Sequence, residues 1–111
     1  MRIRKEILID LVQNKREVSS LKKELSYYPW DCEKPLYTVD WDDISGVLDQ
    51  YLLGITDSSS LENWANAIES REDLDFENEE VQQIIIEIAN PILFGLITRE
   101  KIENYRKKLR T

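Results

Sequence analysis

Between residues 59 and 91 the chain repeats one pattern. Leu61, Trp64, Ala65 and Ile68 fall at i, i+3, i+4 and i+7, and so do Val81, Ile84, Ile85 and Ile88. That spacing collects four apolar side chains on one face of a helix. Each stripe leaves water only by packing on another element, so two amphipathic helices are expected here, joined by a short acidic link. Three glycines and three prolines in 111 residues leave few breaks, which suits helices with short connections and argues against a sandwich or barrel. The length gives one domain and one core, burying about 65% of the unfolded chain's surface. The expectation is an all-α bundle of about five helices, a single domain over residues 1–111.

Upstream, Ile7, Leu11, Val18, Leu21 and Leu25 step by 4, 7, 3 and 4, with Asn14 in the missing apolar slot. This near-heptad series predicts one long helix over about residues 3 to 26, pinned against the bundle or paired with a second copy through the same face. It should stop before Pro29. The following connector is rich in aromatics: five of the chain's ten lie between Tyr27 and Trp41, interleaved with Asp31, Glu33 and Asp40. Tyr and Trp in such company suit a contact surface, because they offer large area with little entropy to lose. They equally suit a lid folded over the core.

A second helix is expected after Asp40, a good N-cap, with Ile44, Val47, Leu48, Tyr51, Leu52 and Ile55 buried and Gly54 as its stop. Ser59 with Glu62 fits a capping box opening the third helix, which a short connection should lay antiparallel to the second. Arg71 is the only cation between Lys34 and Arg99. It reads as a clamp on neighbouring carboxylates or as an anion-binding group. Asn78 caps the fourth helix and Pro91 ends or kinks it. Ile92, Leu93, Phe94, Leu96 and Ile97 then form a turn too apolar for a solvated loop, and Thr98 caps the fifth helix.

The residue types exclude much chemistry. There is no histidine, which removes the usual side chain for acid–base work near neutral pH and for imidazole metal sites. Cys32 is the only cysteine, so no internal disulfide forms and a reducing cytoplasm fits. Without a base beside it, Cys32 is no nucleophile candidate. Asp73, Asp75 and Glu77 begin like a calcium loop, but Asn78 stands where the glycine belongs and Ile84 where the closing glutamate belongs. No catalytic residue, metal ligand or cofactor is expected. No apolar run reaches a membrane span, and neither an apolar stretch nor a small-residue cleavage site follows Met1–Glu6 as a secretory signal requires.

The formal charge of −7 is partitioned: +3 over residues 1–25, −14 over 26–97 and +4 over 98–111. An acidic middle repels nucleic acid and draws basic proteins. The basic ends can also fold back on it and screen it internally.

The words Trp64-Ala65-Asn66, Arg71-Glu72-Asp73 and Ala89-Asn90-Pro91, after a helix ending Tyr51-Leu52-Leu53-Gly54, resemble a broad set of small helical bacterial proteins. Some of that set are immunity proteins of contact-dependent growth inhibition and other polymorphic-toxin systems. The resemblance covers about residues 26 to 110. It implies that Trp64, Ala65, Asn66 and Pro91 are framework residues and that no active site carries over; Arg71, read as a clamp on carboxylates, is expected to be structural on that separate ground. Tyr27-Tyr28-Pro29 is similar to the Tyr-Tyr-Pro that colicin-nuclease immunity proteins place at their toxin contact. The expected function is therefore a cytoplasmic immunity protein, not an enzyme, that occludes a cognate basic toxin domain. The expected partner-binding residues are Tyr27, Tyr28, Trp30 and Asp31, with Asp73, Asp75 and Glu77 as an acidic rim. The alternative is a regulatory or scaffold module that binds a host protein or dimerises through the first helix.

Overall fold

The computed structural model describes residues 3–29 and 34–109. Seven helices and two short strands follow in chain order among them: α1 (Arg4–Val12), α2 (Val18–Leu25), β1 (Tyr37–Val39), α3 (Trp41–Leu52), α4 (Ser58–Glu69), β2 (Leu74–Phe76), α5 (Glu79–Ala89), α6 (Pro91–Phe94) and α7 (Arg99–Leu109). The two stripes between residues 59 and 91 make α4 and α5, which pack along one another. Leu61, Trp64, Ala65 and Ile68 are buried on one, and Val81, Ile84, Ile85 and Ile88 on the other.

The long N-terminal helix is not observed; α1 and α2 replace it. Asn14 adopts a left-handed conformation (φ 54°), which asparagine tolerates better than most residues because its short amide can bond locally. Its Nδ2 donates to Oε1 of Gln50 at 3.0 Å, and Gln50 donates back to the Gln13 carbonyl at 3.4 Å. The carbonyls of Leu11 and Val12 each accept from the Trp64 indole at 3.0 Å. Unwinding therefore leaves few polar groups unpaired, and folding back lets both halves of the apolar series reach one core. Ile7, Leu8, Leu11, Val12 and Leu21 are fully buried within the chain, so that face is not free for a second copy.

The bundle is mostly helical but not purely so. Strands β1 and β2 pair in parallel, Tyr37 opposite Leu74, Thr38 opposite Asp75 and Val39 opposite Phe76. Leu36 N–H to the Asp73 carbonyl (2.8 Å) and Glu77 N–H to the Val39 carbonyl (2.9 Å) extend the ladder. Parallel strands need a long crossover, which α3 and α4 supply. Helix α3 packs chiefly along α7 and α4 along α5, so α3 and α4 are not the antiparallel neighbours their short connection implies.

Side-chain caps open α3, α4, α5 and α7, whereas α1, α2 and α6 start without one. Asp40 and Asp43 form a reciprocal capping box on α3: the Asp43 N–H donates to Asp40 at 3.0 Å and the Asp40 N–H donates to Asp43 at 3.2 Å. For α4 the cap is Asp57, which accepts from the Ser60 N–H at 2.8 Å. Ser59, expected as the cap, lies inside the helix because the chain turns two residues earlier. Asn78 caps α5 and Thr98 precedes α7 as expected. Gly54 (φ 79°) follows α3 in the left-handed region.

Candidate functional site

The parallel pairing sets the geometry of one end of the molecule. Asp40 follows β1 directly into α3, and Asn78 follows β2 into α5, so both helix N-termini leave from the same edge of the sheet. Their first turns carry Asp42, Asp43, Glu79 and Glu80, where negative charge complements the helix dipole. Asp42, Asp75, Glu77, Glu79 and Glu80 are exposed. Glu77 is engaged through one oxygen, Oε2, which accepts from the Trp41 N–H at 3.1 Å and so supplies a second anionic partner to the start of α3. Asp75 bonds only its neighbour, accepting from the Phe76 N–H at 2.9 Å.

At the other edge of the sheet, ~10 Å away for strands this short, lies the Asp73 cluster. Asp73 is 1% exposed. Arg71 grips it with two parallel bonds, Nε to Oδ1 at 2.8 Å and Nη2 to Oδ2 at 2.9 Å. Arg4 adds Nε at 3.0 Å and Nη2 at 2.9 Å to Oδ2. Burial pushes the Asp73 carboxyl up, but hydrogen bonds and charge from Arg71 and then Arg4 outweigh it and hold the group below the ordinary range. Arg4 also lies over the Tyr28 ring, 5.8 Å from its centroid.

These contacts sort the expected binding residues. Tyr28 is half-buried on Arg4, and Tyr27 beside it is 67% exposed. Asp75 and Glu77 are at the surface. Asp73 is not an acidic rim residue: it is the buried counter-ion of two arginines, and it cannot meet a partner. Trp30 and Asp31 lie outside the described residues. Arg71 is the clamp on the loop after α4, Trp64 is fully buried, and Pro91 opens α6. Asn66 is exposed on α4, facing a cleft of about 870 Å³ that Asn14, Gln50, Asn63, Lys15 and Lys22 also line.

A second polar node holds the sheet to the helices. Asp43 is 5% exposed; it accepts from the Tyr37 hydroxyl at 2.7 Å and from Gln13 Nε2 at 3.0 Å. Burial, with the carboxylate of Asp43 beside it, pushes the Tyr37 hydroxyl well above the usual tyrosine range. This node joins the end of α1, β1 and α3. Only the Asp40–Asp43 spacing hints at it in sequence.

The opposite end differs in kind. The C-terminus of α3, the N-terminus of α4, the segment 92–97 and the start of α7 meet there. Arg99 donates to the Leu52 carbonyl at 2.9 Å and Ser58 to the Ile97 carbonyl at 3.4 Å. Lys101 Nζ caps the Phe94 and Gly95 carbonyls at 2.7 and 3.0 Å. Residues 92–96, expected to be packed away, instead stand out: Ile92 is 97% exposed, Leu93 and Leu96 77% each, while Ile97 packs against the core. Leu53 and Ile55, just after α3, are 75% and 71% exposed, although Ile55 belongs to the apolar series of the α3 face; Ile55 lines the cleft that Asn14 and Asn66 also line. Helix α6 is one turn long, too short to carry its side chains back to the core.

Among the described residues no group of three acidic or cysteine side chains could hold a metal ion, and no helix is long and apolar enough to cross a membrane. No protein-family model, curated protein or solved structure matches the chain.

Proposed function

We propose that this chain acts by binding rather than turnover, as an immunity-type protein that occludes a basic toxin domain in the cytoplasm. The contact surface of this reading spans the sheet from edge to edge: Tyr27 and Tyr28 as aromatic anchors on the side of the Arg4–Asp73 cluster, with Asp75, Glu77, Asp42, Glu79 and Glu80 as the acidic field across the strands. Trp30 and Asp31, next in the chain after Pro29, join the set on sequence grounds.

One observation carries the reading. One arginine of each basic end is used internally, Arg4 on Asp73 and Arg106 on Asp49 at 2.7 Å, and the acids around the sheet are exposed, as are Lys5, Lys15, Lys22, Lys23 and Lys107 on other faces of the chain. Like charges held at one end of a rigid body raise the encounter rate with a basic protein and discriminate against acidic ones. Helix dipoles account for Asp42, Glu79 and Glu80. They do not account for Asp75, or for Glu72, which is exposed on the loop that leads into β2, so these two make the cleaner probes.

The test starts at the neighbouring genes: a toxin-like domain encoded there is co-expressed with this chain, reading growth, and the purified pair is followed by association kinetics; a neighbourhood with no such domain counts against the reading. Rescue is expected, with association slowed roughly tenfold at low salt by the double variant Glu72→Lys, Asp75→Lys, and the difference vanishing near ~0.5 M salt. Absence of both rescue and complex would end the reading. Rescue with unchanged kinetics in the double variant would keep the function and discard the surface.

A further inference from the structure

Where the bend between α1 and α2 meets the exposed side of α4, the charge of the chain reverses around the cleft of about 870 Å³. That volume falls within the roughly 300–1,000 Å³ of small-molecule sites. Lys15, Arg16 and Lys22 line it against one acid, Glu17, so the described lining is cationic in a chain of −7. These cations are not spent internally. Lys15 and Lys22 form no ion pair among the described residues, and Arg16, 58% exposed, reaches Asp10 only at 3.9 Å.

Neutral amides make up much of the remaining lining. Asparagine is a poor helix former, because its amide competes for backbone groups. Yet Asn63 and Asn66 both occupy exposed positions within α4, and neither side chain bonds another group among the described residues. Helix stability gives no account of the pair. Two further amides are held in place: Asn14 donates to Gln50 at 3.0 Å, and Gln50 donates to the Gln13 carbonyl at 3.4 Å. Each of these NH2 groups has a second donor to offer. Val18, Ile55 and Ala67 supply the apolar part of the lining. A cation is repelled by such a cleft, and a wholly apolar ligand would leave its amides unpaired. Three cations exceed what one carboxylate uses. They suit the double charge and three acceptor oxygens of a phosphate ester. Amides, which donate and accept at once, suit the hydroxyls or ring nitrogens of the body that carries it.

We propose that this cleft binds a phosphorylated small molecule of up to nucleotide size, with Lys15, Arg16 and Lys22 on the phosphate and Asn63 and Asn66 on its polar body. Nucleotides and sugar phosphates share that chemistry. The acidity of the whole chain does not forbid it, since charges beyond about 8 Å are largely screened at physiological salt and the lining decides. None of these residues belongs to the sheet or to the acids about it. The site is therefore separate from the partner surface proposed above, and either assignment can fail alone.

Titration of the isotope-labelled full chain, read by the shifts of its backbone amides, tests it. The probes are AMP, UMP and glucose 6-phosphate, their unphosphorylated counterparts adenosine, uridine and glucose, and inorganic phosphate. At least one ester is expected to bind with a Kd below about 1 mM, moving amides in the segments 14–22 and 60–67 that line the cleft. Its unphosphorylated counterpart should leave them in place, and inorganic phosphate should bind at least tenfold more weakly. Which ester binds separates a nucleotide from a sugar phosphate. Lys15→Gln with Lys22→Gln should weaken that ester at least tenfold. Asn63→Ala with Asn66→Ala should weaken it severalfold and leave inorganic phosphate unchanged, with folding in each variant checked by circular dichroism. Asp75→Lys, at the sheet, should alter neither. No saturable binding of any ester by about 5 mM overturns the proposal. So do shifts confined to other faces, binding indifferent to both double variants, or a ligand held as tightly without its phosphate.

Discussion

A carboxylate buried between two guanidinium groups is worth most when both arginines stay. Arg4 and Arg71 are 12% and 14% exposed on Asp73. Asp73→Asn keeps the shape but strands two nearly buried cations, a change in the class that costs about 3–5 kcal/mol. The variant should unfold at a clearly lower urea concentration at pH 7. The acid limb of the stability profile should change too. In the folded chain this carboxyl is held below its ordinary range, so the unfolded chain binds the extra proton first. The stabilisation is therefore whole above the ordinary carboxylate range and is lost as pH falls through the lowered folded value. Urea midpoints from pH 7 to pH 2 should show wild type and Asp73→Asn converging on acidification. Parallel curves would mean that Asp73 is not the group responsible. From sequence, Arg71 reads correctly as a clamp because it is alone among acids. The burial of Asp73 does not, because its second arginine arrives from 69 residues away.

The break between α1 and α2 turns on one residue and one distant side chain. A left-handed backbone costs a β-branched residue more than asparagine and costs glycine least. Asn14→Gly should stay within about 1 kcal/mol of wild type, losing the Gln50 bond but gaining backbone freedom, while Asn14→Val should lose about 2 kcal/mol or more. Denaturation of the pair measures the difference; Asn14→Val equal to Asn14→Gly would mean the chain can run straight through as one helix. Trp64→Phe probes the same joint from α4, removing the donor shared by the Leu11 and Val12 carbonyls for about 1–3 kcal/mol. The amphipathic period made α3, α4, α5 and α7 legible, since each writes its buried face into seven or more residues. The α1–α2 bend was not, because Asn14 at a seam position fits a continuous helix equally well and the indole that rewards the bend is some 50 residues away. Three-residue strands are too short to show alternation, and a parallel pair bridging 37 positions leaves no local mark. Of the contact surface, the acids and Tyr27 were readable as exposed polar and aromatic residues. The apolar end was not, since composition alone sends such residues inward.

At the scale of the whole chain, salt should act in opposite directions on folding and on capture of a basic partner. The net charge of −7 disfavours the compact state through self-repulsion, concentrated where Asp42, Asp75, Glu77, Glu79 and Glu80 converge. Screening relieves that repulsion. Of the pairs that salt could weaken, Arg99–Glu103, Arg16–Asp10 and Arg106 on the half-exposed Asp49 lie at the surface, where such pairs are worth little, and the pairs on Asp73 are almost wholly buried. Thermal stability is therefore expected to rise between about 20 mM and 300 mM sodium chloride, by a few degrees for a domain this size. Over the same range, association of a basic protein with the sheet end should slow, because the same field that strains the free molecule drives the encounter. Glu72→Lys with Asp75→Lys weakens that field, so it should flatten both salt dependences together while leaving the high-salt values near wild type. A double variant that changed only one of the two slopes would show that the exposed acids strain the fold and guide the partner through separate groups, and the sheet end would lose its claim to be a single electrostatic surface.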